Sequence, residues 1–134
     1  MIGAMFRSAI LLVAAAAATT SGPDRVVGNC QHSQVKPAAI VLACADANAY
    51  IDKIDWKTFG GTTATGSGDY VENTCTPNCA GGHFKSYPMN FVLSGAKPCF
   101  DRHDDYRKLK ITFLDKRPSQ TPQPFDLPLY CPVG

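Results

Sequence analysis

Beyond its N-terminal stretch, this sequence of 134 residues holds no apolar run approaching the roughly 20 residues a spanning helix needs, so its body lacks a candidate membrane helix. Nor does it carry a convincing amphipathic helix, because its apolar residues recur with period two rather than 3.6. No serine sits in a nucleophile-elbow sequence. Gly60-Gly61 and Gly66-Ser67-Gly68 are too short for a phosphate loop and precede no helix, and no cofactor is expected. Asn29, Asn48, Asn73, Asn78 and Asn90 all lack Ser or Thr two residues on, so there is no glycosylation sequon. Charge is sparse and nearly balanced, with 13 Lys and Arg against 11 Asp and Glu. Without a basic run to neutralise several phosphates, nucleic acid or another polyanion is not expected as the main partner. The tightest basic cluster, Arg107, Lys108 and Lys110, reads as the wet face of a strand.

What is there begins with a secretory pattern. A short segment carrying Arg7 precedes an apolar run from Ala9 to Ala18 and a small polar stretch, Thr19-Thr20-Ser21-Gly22. Ala16-Ala17-Ala18 offers an A-x-A site, placing cleavage between residues 18 and 22. Residues 1–22 are therefore expected to be a signal peptide, and the protein to be secreted, extracellular or envelope-associated, with no transmembrane segment after signal removal. The remaining 112 residues suit one domain with a modest core and a net charge of +1, since Arg7 is the only charge removed. All six cysteines, Cys30, Cys44, Cys75, Cys79, Cys99 and Cys131, lie downstream. In an oxidising space this even count implies up to three disulfides, with fifteen pairings open.

Along the mature chain, residues 23–37 are polar and end at Pro37, which makes them an N-terminal arm pinned by Cys30. A β domain is expected over 38–117. The continuous apolar run Ala38 to Ala45 suits a strand covered on both faces. Ile54, Trp56 and Thr58 then alternate with Asp55, Lys57 and Phe59, and Gly60-Gly61 makes a hairpin turn. On the following strand Ala64, Gly66 and Gly68 form a small-residue face, leaving room for Trp56. Tyr87, Met89, Phe91 and Leu93 alternate cleanly, as do Leu109, Ile111 and Phe113. Trp56, Tyr87, Phe91 and Ile111 are the expected core. Residues 118–134 form a Pro-rich C-terminal strap fastened by Cys131 and unable to donate a regular ladder. The fold expected is all-β: a small antiparallel sandwich or barrel of about five strands, disulfide-stapled, with extended terminal arms.

Several strings recur together: Ile40 to Asn48, Ile54-Asp55-Trp56, Ala64-Thr65-Gly66, Asn73 to Gly82, and Tyr87-Pro88. In this combination of residue types and spacing, the chain from about Ile40 to Leu93 resembles a family of small secreted actinobacterial proteins. The resemblance implies secretion and a β-rich domain and supplies no reaction. The family pattern centres on the positions of Cys44, Cys75 and Cys79, so Cys30, Cys99 and Cys131 look like additions. With odd numbers in both sets, at least one bridge must join them.

Three constellations could carry chemistry. Cys75, Cys79 and His83 have zinc-like spacing, and Cys44 could complete four ligands, but exported cysteines that pair without remainder favour disulfides and no metal. Arg102-His103-Asp104-Asp105-Tyr106 resembles the Cys-x-Arg-His-Asp stretch of secreted microbial phospholipases A2, in which the histidine activates water and the aspartate helps hold calcium. That class is helical, whereas here a strand pattern follows, and an exposed polar turn accounts for the same residues. Asp46 and His83 could form an acid–base pair if folding brings them within reach. The favoured function is non-enzymatic binding of an extracellular or envelope partner through the Asn73–Lys85 loop, with Asp46, Asn48, Asn78, His83 and Lys85 as contact residues. A small secreted hydrolase using His103 and Asp104, or His83 and Asp46, is the alternative.

Overall fold

The structure is a computed structural model that describes residues 25–100 and 103–132. The expected signal peptide, residues 1–22, lies outside the described residues. Ten strands follow in chain order: β1 (Arg25–Asn29), β2 (His32–Gln34), β3 (Ile40–Val41), β4 (Ala49–Thr58), β5 (Ala64–Asn73), β6 (Phe84–Ser94), β7 (Lys97–Pro98), β8 (Asp104–Asp105), β9 (Lys108–Phe113) and β10 (Phe125–Pro128). There is no helix among the described residues, so the all-β reading holds. Six strands form one sheet in the order β10-β9-β6-β5-β4-β3, all antiparallel. The other four form a smaller sheet in the order β2-β1-β8-β7, in which β1 and β8 run parallel.

Period-two alternation sends one row of each long strand inward. Ile51 on β4, Tyr70 on β5, Met89, Phe91 and Leu93 on β6, and Leu109, Ile111 and Phe113 on β9 are buried in one core. The smaller sheet adds Val27 to it, and Tyr106 follows directly after β8. Tyr106 is fully buried and clamps the β4–β5 hairpin: its hydroxyl accepts from the Gly60 N–H at 3.0 Å and donates to the Gly61 carbonyl at 2.8 Å.

Three bridges staple the fold: Cys30–Cys44, Cys75–Cys79 and Cys99–Cys131. The expectation that all six cysteines pair holds, and Cys30–Cys44 is the bridge that joins the two sets. Cys99–Cys131 ties the end of β7 to the C-terminal strap, as expected of Cys131.

Several details differ from the expectations. Only Ile40 and Val41 of the Ala38–Ala45 run join a ladder, because the chain turns back through Ala43 to Ala47 to start β4. The polar arm is not featureless: its β1 buries Val26 and Val27. Part of the strap does form a ladder, since Phe125–Pro128 pairs with β9 as an edge strand, where proline's missing N–H can be tolerated. Strand count rises to ten because these short edge pieces have no alternation long enough to read.

Trp56 is half-buried rather than central, and Gly66 makes room chiefly for another ring. A Cβ on Gly66 would lie 2.8 Å from Cζ of Phe91 and 2.6 Å from the Asp55 carbonyl oxygen. Trp56 instead stands edge-on to Phe91 and Phe59, centroids 5.1 and 5.0 Å away, and donates its indole N–H to Pro37 O at 2.9 Å. Tyr87 is likewise half-buried against the core, while Phe91 and Ile111 lie within it as expected.

Candidate functional site

β5 ends at Asn73 and β6 begins at Phe84, and the ten-residue connection between them is the cysteine loop. Asn73 organises it. Its side-chain oxygen accepts from the Cys75 N–H at 2.9 Å, and its amide nitrogen donates to the Cys79 carbonyl at 2.7 Å. Asparagine bonds its own backbone two residues on more readily than most side chains, so this is an Asx turn that starts the loop. The same amide nitrogen donates to Asn48 Oδ1 at 3.0 Å, and the Asn73 N–H donates to the Asn48 carbonyl at 2.9 Å. Gly82 passes directly over Asn73 Oδ1, leaving no space for a Cβ. Cys75–Cys79 closes the loop, and Asn78 Oδ1 accepts from Gly81 N–H at 2.7 Å. Across the base, Thr74 N–H donates to His83 O, and His83 N–H to Thr74 Oγ1.

Asn48 belongs to a second turn. Asp46 is exposed and its Oδ1 accepts from the Asn48 N–H at 3.1 Å. That backbone donor, reinforced by the Asn48 side chain, holds the Asp46 carboxyl below its ordinary value. Cys44, bridged to Cys30, lies two residues upstream. Two turns far apart in sequence thus form one hydrogen-bonded, doubly stapled surface, on which Asp46, Asn78 and His83 are exposed. On the flanking strands Phe84 is 52% exposed and lies 5.9 Å from the Tyr50 ring.

The structure therefore joins Asn48 to the Asn73 loop through hydrogen bonds. It does not pair the proposed acid and base: no hydrogen bond or ion pair among the described residues joins Asp46 to His83, and Asp46 is engaged by Asn48. Lys85 is set by strand alternation on the opposite face of β6 from Phe84. It lines a separate open cleft of about 800 Å³ with Tyr87, Pro88, Asp115, Lys116 and Arg117.

The second constellation is not simply an exposed turn. His103 is exposed, but Asp104 and Asp105 form β8 beside Arg25 and Val26, and Asp105 and Tyr106 are buried. Buried Asp105 accepts at Oδ2 from Ser33 Oγ at 2.9 Å. Arg102 lies outside the described residues. The zinc-like cysteines are engaged as disulfides: Cys75 and Cys79 with each other, Cys44 with Cys30. Among the described residues, further clefts lie beside Cys30 and Cys44 and along β9 and β10, and neither His83 nor His103 lines these or the Lys85 cleft.

Asn73 and Tyr106 were missed as individual residues. An Asn at a strand end two residues before a cysteine signals an Asx turn, so Asn73 was open to detection; nothing local marks Tyr106. Comparison with protein-family models, curated proteins and solved structures finds no match for this chain.

Proposed function

We propose that this chain is a small secreted, disulfide-stapled β protein that acts by binding an extracellular or envelope partner, not by catalysis. The contact surface is the Asn73–Lys85 loop together with the Asp46–Asn48 turn. The observation that carries the reading is the pair of hydrogen bonds between Asn73 and Asn48, which unites the two turns into one rigid exposed surface. Rigidity matters because a surface ordered before binding loses little entropy on association. A scaffold of paired strands presenting fixed loops is also how binding proteins separate stability from recognition. Catalysis would instead need titratable groups converging in a concave site, and Asp46, His83 and His103 sit at exposed positions. Secretion follows from the N-terminal pattern and is consistent with three bridges. Kinship with the actinobacterial family stays part of this proposal.

The test is retention of components from cell-wall and secreted fractions on immobilised wild type and on an Asn78→Ala, His83→Ala variant. A component held by the first and released by the second is the expected result. Equal retention, or a calcium-dependent lipid hydrolysis abolished by His103→Ala, would overturn the reading.

A further inference from the structure

β4 and β5 carry Asp52, Asp55, Asp69 and Glu72 beside Lys53 and Lys57. Folding brings Lys97 to the basic cluster Arg107, Lys108 and Lys110, and the four gather around the meeting of β6, β9 and β10. These four cations line one open groove of about 700 Å³ that contains a single carboxylate, Asp126. None of the four makes an ion pair among the described residues, where the pair found is Lys53–Asp69 at 3.7 Å. Clustered unpaired cations repel one another, and a bound anion would relieve that repulsion.

The backbone around the groove is firmly held. Gly95 has φ +65, a conformation that favours glycine, and a Cβ there would meet Cγ and Cδ of Lys108 at 3.4 Å, so the aliphatic stem of Lys108 lies across this residue. Arg107 is fixed from three sides: its N–H donates to Ser94 O at 3.0 Å, its carbonyl accepts from Leu129 N–H at 2.8 Å, and its guanidinium donates to Pro98 O at 3.1 Å.

The distribution of charge selects the ligand. Lys108 and Lys110 stand two residues apart on one strand face, about 6.6 Å along the strand. Cations rooted at successive points along a strand and on the neighbouring β7 suit a chain of anionic groups better than one compact anion. No aromatic side chain lines the groove, so bases of a single-stranded nucleic acid would find no stacking platform. We propose that this groove binds a linear, base-free polyanion bearing phosphate or sulfate groups.

The experiment titrates the full mature chain with inorganic polyphosphate and, separately, with a sulfated glycan, at several salt concentrations. Binding of at least one is expected, and the arm that binds identifies the anion. For three or four neutralised charges, log K should fall against log salt with a slope of about −2 to −3. Replacing both lysines, Lys108→Gln with Lys110→Gln, should weaken binding roughly tenfold, because half the cations are lost. Both side chains are exposed and their mutual repulsion is removed, so the thermal midpoint should not fall. Lys53→Gln with Lys57→Gln, and the loop variant described above, should leave affinity unchanged, which separates this site from the loop surface. Absence of binding to both probes at low salt, equal loss in the Lys53/Lys57 variant, or tighter binding of a single-stranded oligonucleotide would overturn the proposal.

Discussion

The side-chain amide of Asn73 donates to both Asn48 Oδ1, at 3.0 Å, and the Cys79 carbonyl, at 2.7 Å, so a single side chain couples the cysteine loop to the turn after β3. Asn73→Ala should leave the β core intact, destabilise the protein by about 1–3 kcal/mol, and free the loop. Chemical denaturation gives the first quantity. Amide exchange should show faster exchange at Cys75 and Gly82 with β6 and β9 unchanged.

Tyr106 offers a second test, because its hydroxyl bridges Gly60 and Gly61 from within the core. Tyr106→Phe should cost about 1–2 kcal/mol, from the lost hydrogen bonds alone. Tyr106→Ala should cost roughly 3–5 kcal/mol, adding a cavity. Equal losses in the two variants would mean that the ring contributes nothing.

Gly66→Ala should be disproportionately harmful for one added methyl. Its Cβ would meet the Asp55 carbonyl, which is backbone and cannot swing aside, and the buried Phe91 ring. A loss of about 1–3 kcal/mol is expected. Trp56→Ala, at a half-buried ring, should fall near the lower end of the roughly 3–5 kcal/mol range for large aromatic truncations.

Bridges should differ in value. Chain-entropy reasoning gives about 2 kcal/mol for the short Cys75–Cys79 ring and about 3.7 kcal/mol for Cys99–Cys131, which spans 32 residues. Asn73 already holds the short ring by hydrogen bonds, so Cys75→Ser with Cys79→Ser should lower the thermal midpoint less than Cys99→Ser with Cys131→Ser. Thiol titration of exported wild type should find no free thiol.

Stability should narrow at both ends of the pH scale. The Asp46 carboxyl is lowered by the Asn48 backbone donor, so its contribution is present above the unfolded value of 3.8 and is lost as pH falls below it. Tyr70 is raised, first by burial and then because its hydroxyl donates to Glu72 at 2.9 Å; Tyr106 is raised by burial. Their contribution is complete below the unfolded tyrosine value of 10.0 and declines as pH rises beyond it. Carboxyl shifts should place the Asp46 midpoint below 3.8, and absorbance should show Tyr70 ionising only with unfolding.

The long strands were legible because alternation over six or more residues declares which face is buried; β6 and β9 are the clearest cases. β1, β8 and β10 were not, since their pairing depends on partners remote in sequence. Buried Asp105 takes a hydrogen bond from Ser33, which lies 72 residues away. At the site, the Asn73–Lys85 loop and the candidates Asp46 and Asn48 were legible, but the hydrogen bonds that unite them required the three-dimensional pairing of β4 with β5. Of the cationic groove, the cluster Arg107, Lys108 and Lys110 was visible, but its meeting with Lys97 and β10 was not, because charge spacing says nothing about which strands become neighbours.

Amide-shift mapping of the labelled protein against the envelope or secreted component that it retains tests the binding surface most directly. Loop-mediated binding predicts perturbations confined to residues 46–48 and 73–85. Perturbations centred on His103 to Tyr106, with the loop silent, would contradict it.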